Sequence, residues 1–403
     1  MTKQDKSFQA DAGLGKALDL LRQPTAQQQP LPKSLTAQGI GEEAALSLLA
    51  PYVFGEASYL DSPTALAHMD PPTPWITWAT SLWNARLNQN LLHPATAPFA
   101  RQAEEIVMAW LAPWFGMQGG HMCSGSTLAN LTALWAARDA GKVDQIIAST
   151  SAHISIAKAA NILGLPYKQV ATNAMGQIDP AKVSELGDLS NACLVLTAGT
   201  TATGVIDNLA LVGKAKWTHI DAAWAGPLCL SEKYAGLLAG MELADSVAVS
   251  AHKWLFQPKD SALVMFRQLE LANLAISFGG GYLAAPNIGV QGSRGAAAIS
   301  LLATLLAWGK GGLAQRIEQT MSMSHTLAEA LQQETDVILL AMPTTGVTVF
   351  RPTNISTEQL YQRLPAGMLS TCIVEGEHWL RSVAANPMAD MDKIIDAIRK
   401  ALP

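Results

Sequence analysis

Two apolar runs that each stop at a polar cluster constrain this chain more than any other feature. Lys216-Trp217-Thr218-His219-Ile220 runs into Asp221, and Ala244-Asp245-Ser246-Val247-Ala248-Val249 runs into Ser250-Ala251-His252-Lys253-Trp254. Such runs suit strands buried on both faces of a parallel sheet, and open α/β sheets bind ligands outside the carboxyl ends of their strands. From Glu104 onward the pattern alternates. Helices are expected over Glu104 to Trp114, Thr127 to Ala140 and Ile154 to Leu163, and strands over Gln145 to Ser149, Tyr167 to Ala171, Ala192 to Thr197 and Ala262 to Phe266. This alternation predicts a mainly parallel sheet covered by helices on both faces.

After Arg294 two helical patterns run to about Gln333, divided near Gly309 to Gly312, and four short strand patterns and a last helix follow. The expected organisation is therefore an N-terminal arm over 1–45, a large α/β domain over 46–310 and a small α+β domain over 311–403. Of the 403 residues only 15% are charged and 49% are hydrophobic, which points to surface hidden in a subunit interface. A net charge of −5 offers no footprint for nucleic acid or an acidic membrane. Met1 to Leu35 has no apolar secretory core, and the most apolar run, Ala296 to Trp308, is too short to span a bilayer, so a soluble cytoplasmic protein is expected. Cys123, Cys193, Cys229 and Cys372 lack metal-site or disulfide spacing and are expected to be reduced and buried.

One lysine and one carboxylate at neighbouring strand ends meet the needs of pyridoxal phosphate (PLP). The lysine holds the cofactor as an imine, and the carboxylate keeps the ring nitrogen protonated so that the ring can accept electrons from a carbanion. Lys253 and Asp221 supply both groups. Ser124-Gly125-Ser126-Thr127 precedes an apolar-periodic helix, where backbone N–H groups and the helix dipole favour a phosphate. His219 shares a strand face with Asp221, but no third ligand accompanies the pair, so no metal site is expected.

Thr197 to Arg267 resembles the group II amino-acid decarboxylases, PLP enzymes of the aspartate aminotransferase fold. Ala198-Gly199-Thr200-Thr201 with Gly204 and Asp207, Asp221-Ala222-Ala223, Ala244-Asp245-Ser246 and His252-Lys253-Trp254 stand in that family's order and spacing. Gly125 to Asn130 is similar to its Gly-Gly-(Ser/Thr)-x-x-Asn block, with Ser126 in place of a glycine, and Ser151-Ala152-His153-Ile154-Ser155 to its histidine block. His378-Trp379-Leu380-Arg381 is similar to its C-terminal Leu-Arg block. Gly292-Ser293-Arg294 resembles a block of the archaeal aspartate/tyrosine decarboxylases and the sphingosine phosphate lyases.

The resemblance implies fold type I: a large PLP-binding domain with a mainly parallel sheet, and a small C-terminal α+β domain. It implies Lys253, His153 and Asp221 as catalytic residues, with His153 stacked on the cofactor ring. Gly125, Ser126, Thr127, Thr201, Ala223 and His252 would bind the cofactor beside them. Arg381 would clamp a substrate carboxylate, and Ser293 and Arg294 would face a cofactor across a homodimer interface. The implied reaction is decarboxylation of an L-amino acid to an amine, with an acidic substrate favoured and an aromatic one open. A PLP-dependent carbon–carbon lyase and a catalytically idle PLP-binding partner subunit stand as alternatives. One departure bears on the chemistry: only nine residues, Leu283 to Gln291, separate Tyr282 from Gly292, where many family members carry a long loop with a proton-donating tyrosine.

Overall fold

Apolar segments buried on both faces build the central sheet, as the sequence pattern requires. The computed structural model describes residues 13–22, 27–35 and 37–403. Its main sheet contains β1 (Gly119–Cys123), β2 (Gln145–Ser149), β3 (Tyr167–Val170), β4 (Ala192–Thr197), β5 (Trp217–Asp221), β6 (Ser246–Val249) and β7 (Ala262–Phe266), in the order β1-β7-β6-β5-β4-β2-β3. Every residue of β4, β5, β6 and β7 is buried. The pairs β3–β2, β2–β4, β4–β5 and β5–β6 are parallel, and β7 is antiparallel to both β6 and β1. In register, Thr197 lies opposite Asp221 and Asp221 opposite Ala248, so three parallel strands end level with one another. The direction of strand addition reverses between β2 and β4, which opens a crevice at these carboxyl ends.

The edge strand β1 escapes a sequence reading because Gly119-Gly120-His121 looks like a turn. Its glycine is a packing requirement: a Cβ on Gly120 would lie 1.9 Å from the Val264 carbonyl oxygen of β7. The helices Ser126–Asp139 and Ile154–Leu163 pack on each other over the sheet. The helix Ala297–Gln332 is broken at Gly309 (φ 60°, ψ −177°), where two helical patterns were expected to divide. It is long and apolar enough to cross a bilayer, but it packs against the helices Trp75–Leu87 and Pro98–Leu111 and buries Ala298, Leu301, Leu302 and Leu305. The domain division expected at residue 310 falls inside this helix.

Two further sheets follow the main one. The strands β8 (Ser277–Phe278) and β9 (Asn287–Ile288) form a short hairpin. The strands β10 (Val337–Leu339), β11 (Val347–Pro352), β12 (Ser370–Val374) and β13 (Glu377–Val383) form an antiparallel sheet in the order β10-β11-β13-β12. Phe350, Leu360, Leu380, Ile394 and Ile398 build the core between this sheet and the helices Thr357–Arg363 and Met391–Ala401. The chain divides into two compact units, residues 1–59 and 60–403. Within the first, the helices Leu14–Arg22 and Glu42–Gly55 contact each other, and the Tyr52 hydroxyl donates to the Gln29 carbonyl at 2.7 Å. Residues 1–12, 23–26 and 36 of the expected arm lie outside the described residues.

The turn after β4 ties the two larger sheets together. Gly204, at φ +72°, accepts a hydrogen bond from the Thr345 hydroxyl at 2.8 Å, and Thr345 Oγ1 accepts from Trp224 Nε1 at 3.2 Å. A Cβ at 204 would lie 2.5 Å from Thr345 Oγ1 and 2.7 Å from Val347 Cβ. Gly204→Ala therefore combines left-handed backbone strain with overpacking and is expected to destabilise the protein by about 3 kcal/mol. Denaturant unfolding measures this, and a loss below about 1 kcal/mol would show that the turn relaxes freely.

Candidate active site

Asp221 closes β5 and is only 4% exposed. Its carboxylate accepts from Asn130 Nδ2 at 3.0 Å and from the Ala223 backbone N–H at 3.2 Å. Asn130 reaches it from the second turn of the helix Ser126–Asp139, and the same Nδ2 donates to Ser155 Oγ at 2.9 Å. Ser155 Oγ is 2.8 Å from His153 Nδ1, which also accepts from the Ser155 backbone N–H at 3.2 Å, so His153 caps the helix Ile154–Leu163. The Asn130 Oδ1 is 3.0 Å from His219 Nε2, whose other ring nitrogen is 2.9 Å from Ser246 Oγ. Both His219 nitrogens are thus engaged by protein. Sequence reasoning assigned no role to His219, Asn130, Ser155 or Ser246; the signals were the shared face of His219 and Asp221 and the places of Asn130, Ser155 and Ser246 inside blocks that resemble the family's.

Lys253 sits in the turn after β6 and is flanked by buried side chains. Trp254, directly after it, stacks on Trp224 with ring centroids 3.9 Å apart, and both indoles are fully buried. This stack anchors the segments carrying Lys253 and Ala223 to the same core. Burial lowers the Lys253 ammonium below its ordinary range, Asp221 and Asp70 act against the shift, and Lys259 and Arg381 add to it. A lysine so placed has more of the neutral amine that attacks carbonyl groups. Burial likewise lowers His153, against the pull of Asp221 and with the push of Lys253. His252 donates from Nδ1 to the Ser261 carbonyl at 3.0 Å, and burial with the nearby Lys259 and Lys253 brings it to about 4. Its Nε2 is therefore an unprotonated acceptor at neutral pH.

Arg381 on β13 also belongs to this cluster. Its guanidinium donates to Ser370 Oγ at 3.0 Å, the Thr201 carbonyl at 2.5 Å and the Ala67 carbonyl at 3.3 Å, and its charge reaches Lys253. Thr201 is exposed.

Of the remaining expected residues Arg294 lines a cavity of about 410 Å³, bordered also by Ser124, Lys259, Ser261, Gln291 and Ser300, and Gly125, Ser126, Thr127, Ala223 and Ser293 are not among its lining residues. Here the Ser124 backbone N–H donates to Gln291 Oε1 at 2.9 Å. Arg294 makes two hydrogen bonds to the Glu104 carboxylate, one of them 2.7 Å long, and exposed Ser293 accepts from Asn90 Nδ2 at 3.1 Å. The Arg294 guanidinium is thus held within its own chain. Cys123 beside it is buried, with its thiol pushed up to about 12 mainly by burial, so it is no nucleophile. Cys193 and Cys229 are buried and Cys372 half-buried, all with thiols raised by burial.

These residues fit pyridoxal phosphate. Ser149 Oγ, Thr197 Oγ1 and Ser250 Oγ, at or just beyond the carboxyl ends of β2, β4 and β6, are buried without a protein partner among the described residues. The Ser126 and Thr127 backbone N–H groups, at the start of a 14-residue helix, have no acceptor among the described residues and suit a phosphate. No group of three metal-ligating side chains occurs among the described residues.

The buried histidines make stability pH-dependent. Burial brings His121 and His219 to about 4, below the ordinary value of 6.5. Each therefore stays neutral in the folded protein while the unfolded chain takes up a proton, so its contribution is present above pH 6.5 and is lost as pH falls toward 4. Each is expected to remove up to about 1.4 kcal/mol per pH unit across that window. Denaturant unfolding of wild type and His219→Gln as a function of pH tests this, and equal slopes for the two proteins would show that His219 does not contribute.

Residues 48–353 match the pyridoxal-dependent decarboxylase conserved domain. The chain is 30% identical to the L-2,4-diaminobutyrate decarboxylase of Rhizobium meliloti, over 97% of this chain and 86% of that protein. It is 28% identical to the aspartate 1-decarboxylase of Aliivibrio fischeri, over 74% of this chain and 66% of that protein. Its fold matches the crystal structure of Oryza sativa TDC with PLP and tryptamine at a TM-score of 0.84 and 19% identity, covering 100% of this chain and 98% of the other. With the domain match spanning both strand-end clusters, the chain belongs to the pyridoxal-dependent decarboxylases, amino-acid carboxy-lyases whose cofactor is pyridoxal phosphate.

Proposed function

We propose that this decarboxylase acts on an acidic L-amino acid, aspartate or glutamate, and that Arg381 binds a substrate carboxylate. The position of Arg381 carries the reading: three protein acceptors orient its guanidinium beside Thr201, within electrostatic reach of Lys253. Three of its N–H groups are engaged, which leaves others for a carboxylate. The similarity to an aspartate 1-decarboxylase supports the same choice. A second reading, 2,4-diaminobutyrate, is favoured by Asp70, which is paired with Lys259 and whose charge reaches both Lys253 and His252, so that a substrate ammonium could take the place of Lys259.

Bound pyridoxal phosphate supplies an aldehyde that condenses with amines and a ring that takes up the electron pair left by departing CO2. In this reading Lys253 is the amine that would hold the cofactor covalently. Asp221 keeps a proton on the cofactor's ring nitrogen. The Ser126 and Thr127 N–H groups would hold the cofactor's phosphate, and Ala223 and His153 would pack against its ring. Because His153 Nδ1 is an acceptor, its proton resides on Nε2, where it can be donated.

The homodimer forms part of this proposal. The helix Trp75–Leu87 leaves Trp75, Trp78, Leu82 and Trp83 on one exposed face, and Phe99, Trp110 and Trp114 are exposed nearby in sequence. Aromatic surface of this extent suits a second copy of the chain, whose approach would also bring Ser293 and Arg294 toward a partner's cofactor.

Two measurements test the assignments. Borohydride reduction should fix the cofactor on Lys253, and Lys253→Ala should abolish the adduct; an adduct on another lysine would refute the residue. Carbon dioxide release should be fastest from aspartate or glutamate in a comparison that includes 2,4-diaminobutyrate and aromatic amino acids. Arg381→Lys, which keeps the charge but loses the planar fork, should raise KM at least about tenfold, roughly 1.4 kcal/mol, with cofactor content unchanged. An unchanged KM would remove Arg381 from substrate binding.

A further inference from the structure

The hydrogen bonds around Asn130 run in one consistent direction, set at the His153 end and by the Asp221 carboxylate. At one end, the Ser155 backbone N–H donates to His153 Nδ1 at 3.2 Å, so that nitrogen carries no proton and the Ser155 hydroxyl must donate to it across 2.8 Å. Ser155 Oγ then accepts from Asn130 Nδ2, which also donates to Asp221. That orientation turns Asn130 Oδ1 toward His219 Nε2, 3.0 Å away, and makes Nε2 the protonated nitrogen. His219 Nδ1 is consequently an acceptor for the Ser246 hydroxyl at 2.9 Å. At the other end, the Trp217 indole can only donate, and it donates to Ser246 Oγ at 3.0 Å. Every donor meets an acceptor, and each of Trp217, Asn130, Ser155, His219 and Ser246 is buried.

We propose that His219 and Asn130 are positioning residues of the active site: His219 locks the Asn130 amide so that one –NH2 group serves both Asp221 and, through Ser155, His153. This rests on the roles assigned above to Asp221 and His153 and adds to them a single junction that sets both groups at once. The amide can face Asp221 correctly only while its oxygen has a donor on the far side, and His219 Nε2–H is that donor. Without it, a buried carbonyl oxygen is left unpaired, and the amide gains by turning or withdrawing from the carboxylate. The low basicity that burial gives His219 suits the task, because the neutral ring offers one donor and one acceptor in fixed places.

The test uses the holoenzyme with His219→Phe, which keeps a ring and removes the donor, and His219→Gln, which can return an N–H to Asn130 Oδ1. In His219→Phe, kcat is expected to fall about tenfold or more with KM for the amino acid within about twofold. The visible absorption band of the bound cofactor should shift, and His219→Gln should recover most of both properties. Wild-type kcat and band in a less stable His219→Phe would overturn the proposal and leave His219 a packing residue. Should His219→Phe fail to fold, Ser246→Ala removes the hydroxyl that donates to His219 Nδ1 and holds the ring, at little cost in volume. It should move kcat and the band in the same directions, and wild-type values there would overturn the proposal. Asp221→Ala separates the two levels. If it leaves band and kcat unchanged, the role of Asp221 itself fails; if it changes both while His219→Phe changes neither, only the junction fails.

Discussion

A carboxylate held at 4% exposure at the end of an apolar strand is costly unless its lone pairs are bonded and its charge is answered. Asp221 meets this condition through groups contributed from three parts of the chain: the Asn130 amide, the Ala223 backbone N–H and the nearby Lys253. Much of the local architecture follows from that requirement. The helix Ser126–Asp139 has to approach β5 closely enough for Asn130 to touch the carboxylate, and its buried Ala129, Ala133, Ala136 and Ala137 permit the approach. Ala223 follows the strand end and returns its backbone N–H to the carboxylate. Lys253 has to be presented from the end of β6, which the Trp224–Trp254 stack secures.

The same helix couples two functions through its geometry. Its first residues, Ser126 and Thr127, offer backbone N–H groups to a phosphate, and Asn130, three to four residues later, lies about 5 Å along the axis. In the proposed reading, phosphate binding and carboxylate orientation would be set by one rigid element, so a shift of the helix would disturb both ends of a bound cofactor together. The buried core beneath it, with Ile156, Ala159 and Ala160 of the next helix, resists such a shift.

The features legible in the sequence were those written in local pattern. The buried parallel strands β2 and β4 to β6 appear as apolar runs, and their ends locate Asp221 and Lys253 because alternating helices dictate a parallel sheet. The break at Gly309 was visible as a glycine cluster dividing two helical patterns. Other features depend on partners far apart in sequence. His219 reads as one more residue of an apolar strand until Asn130, 89 positions earlier, is placed against it. Arg294 is expected from its Gly-Ser-Arg block to face a cofactor across a dimer interface, and its ion pair with Glu104, 190 positions earlier, is not legible in that block. The strand β1 was missed because two glycines lower strand propensity, and the close approach of β7 that requires one of them is invisible before the chains are paired.

The contrast between the two arginines shows how partners define what a charge is available to do. Glu104 meets the Arg294 guanidinium with a carboxylate of opposite sign, so the pair is close to neutral and acts first as a brace for the cavity wall. Arg381 is held by the neutral acceptors Ser370, Thr201 and Ala67, which fix its orientation without cancelling its charge. An uncancelled, oriented cation near a lysine whose ammonium is already disfavoured adds to the pressure for Lys253 to be a neutral amine. A substrate carboxylate that neutralised Arg381 would relieve that pressure. Arg381 is thus placed so that its charge disfavours the Lys253 ammonium, as a contribution smaller than those of burial and Lys259.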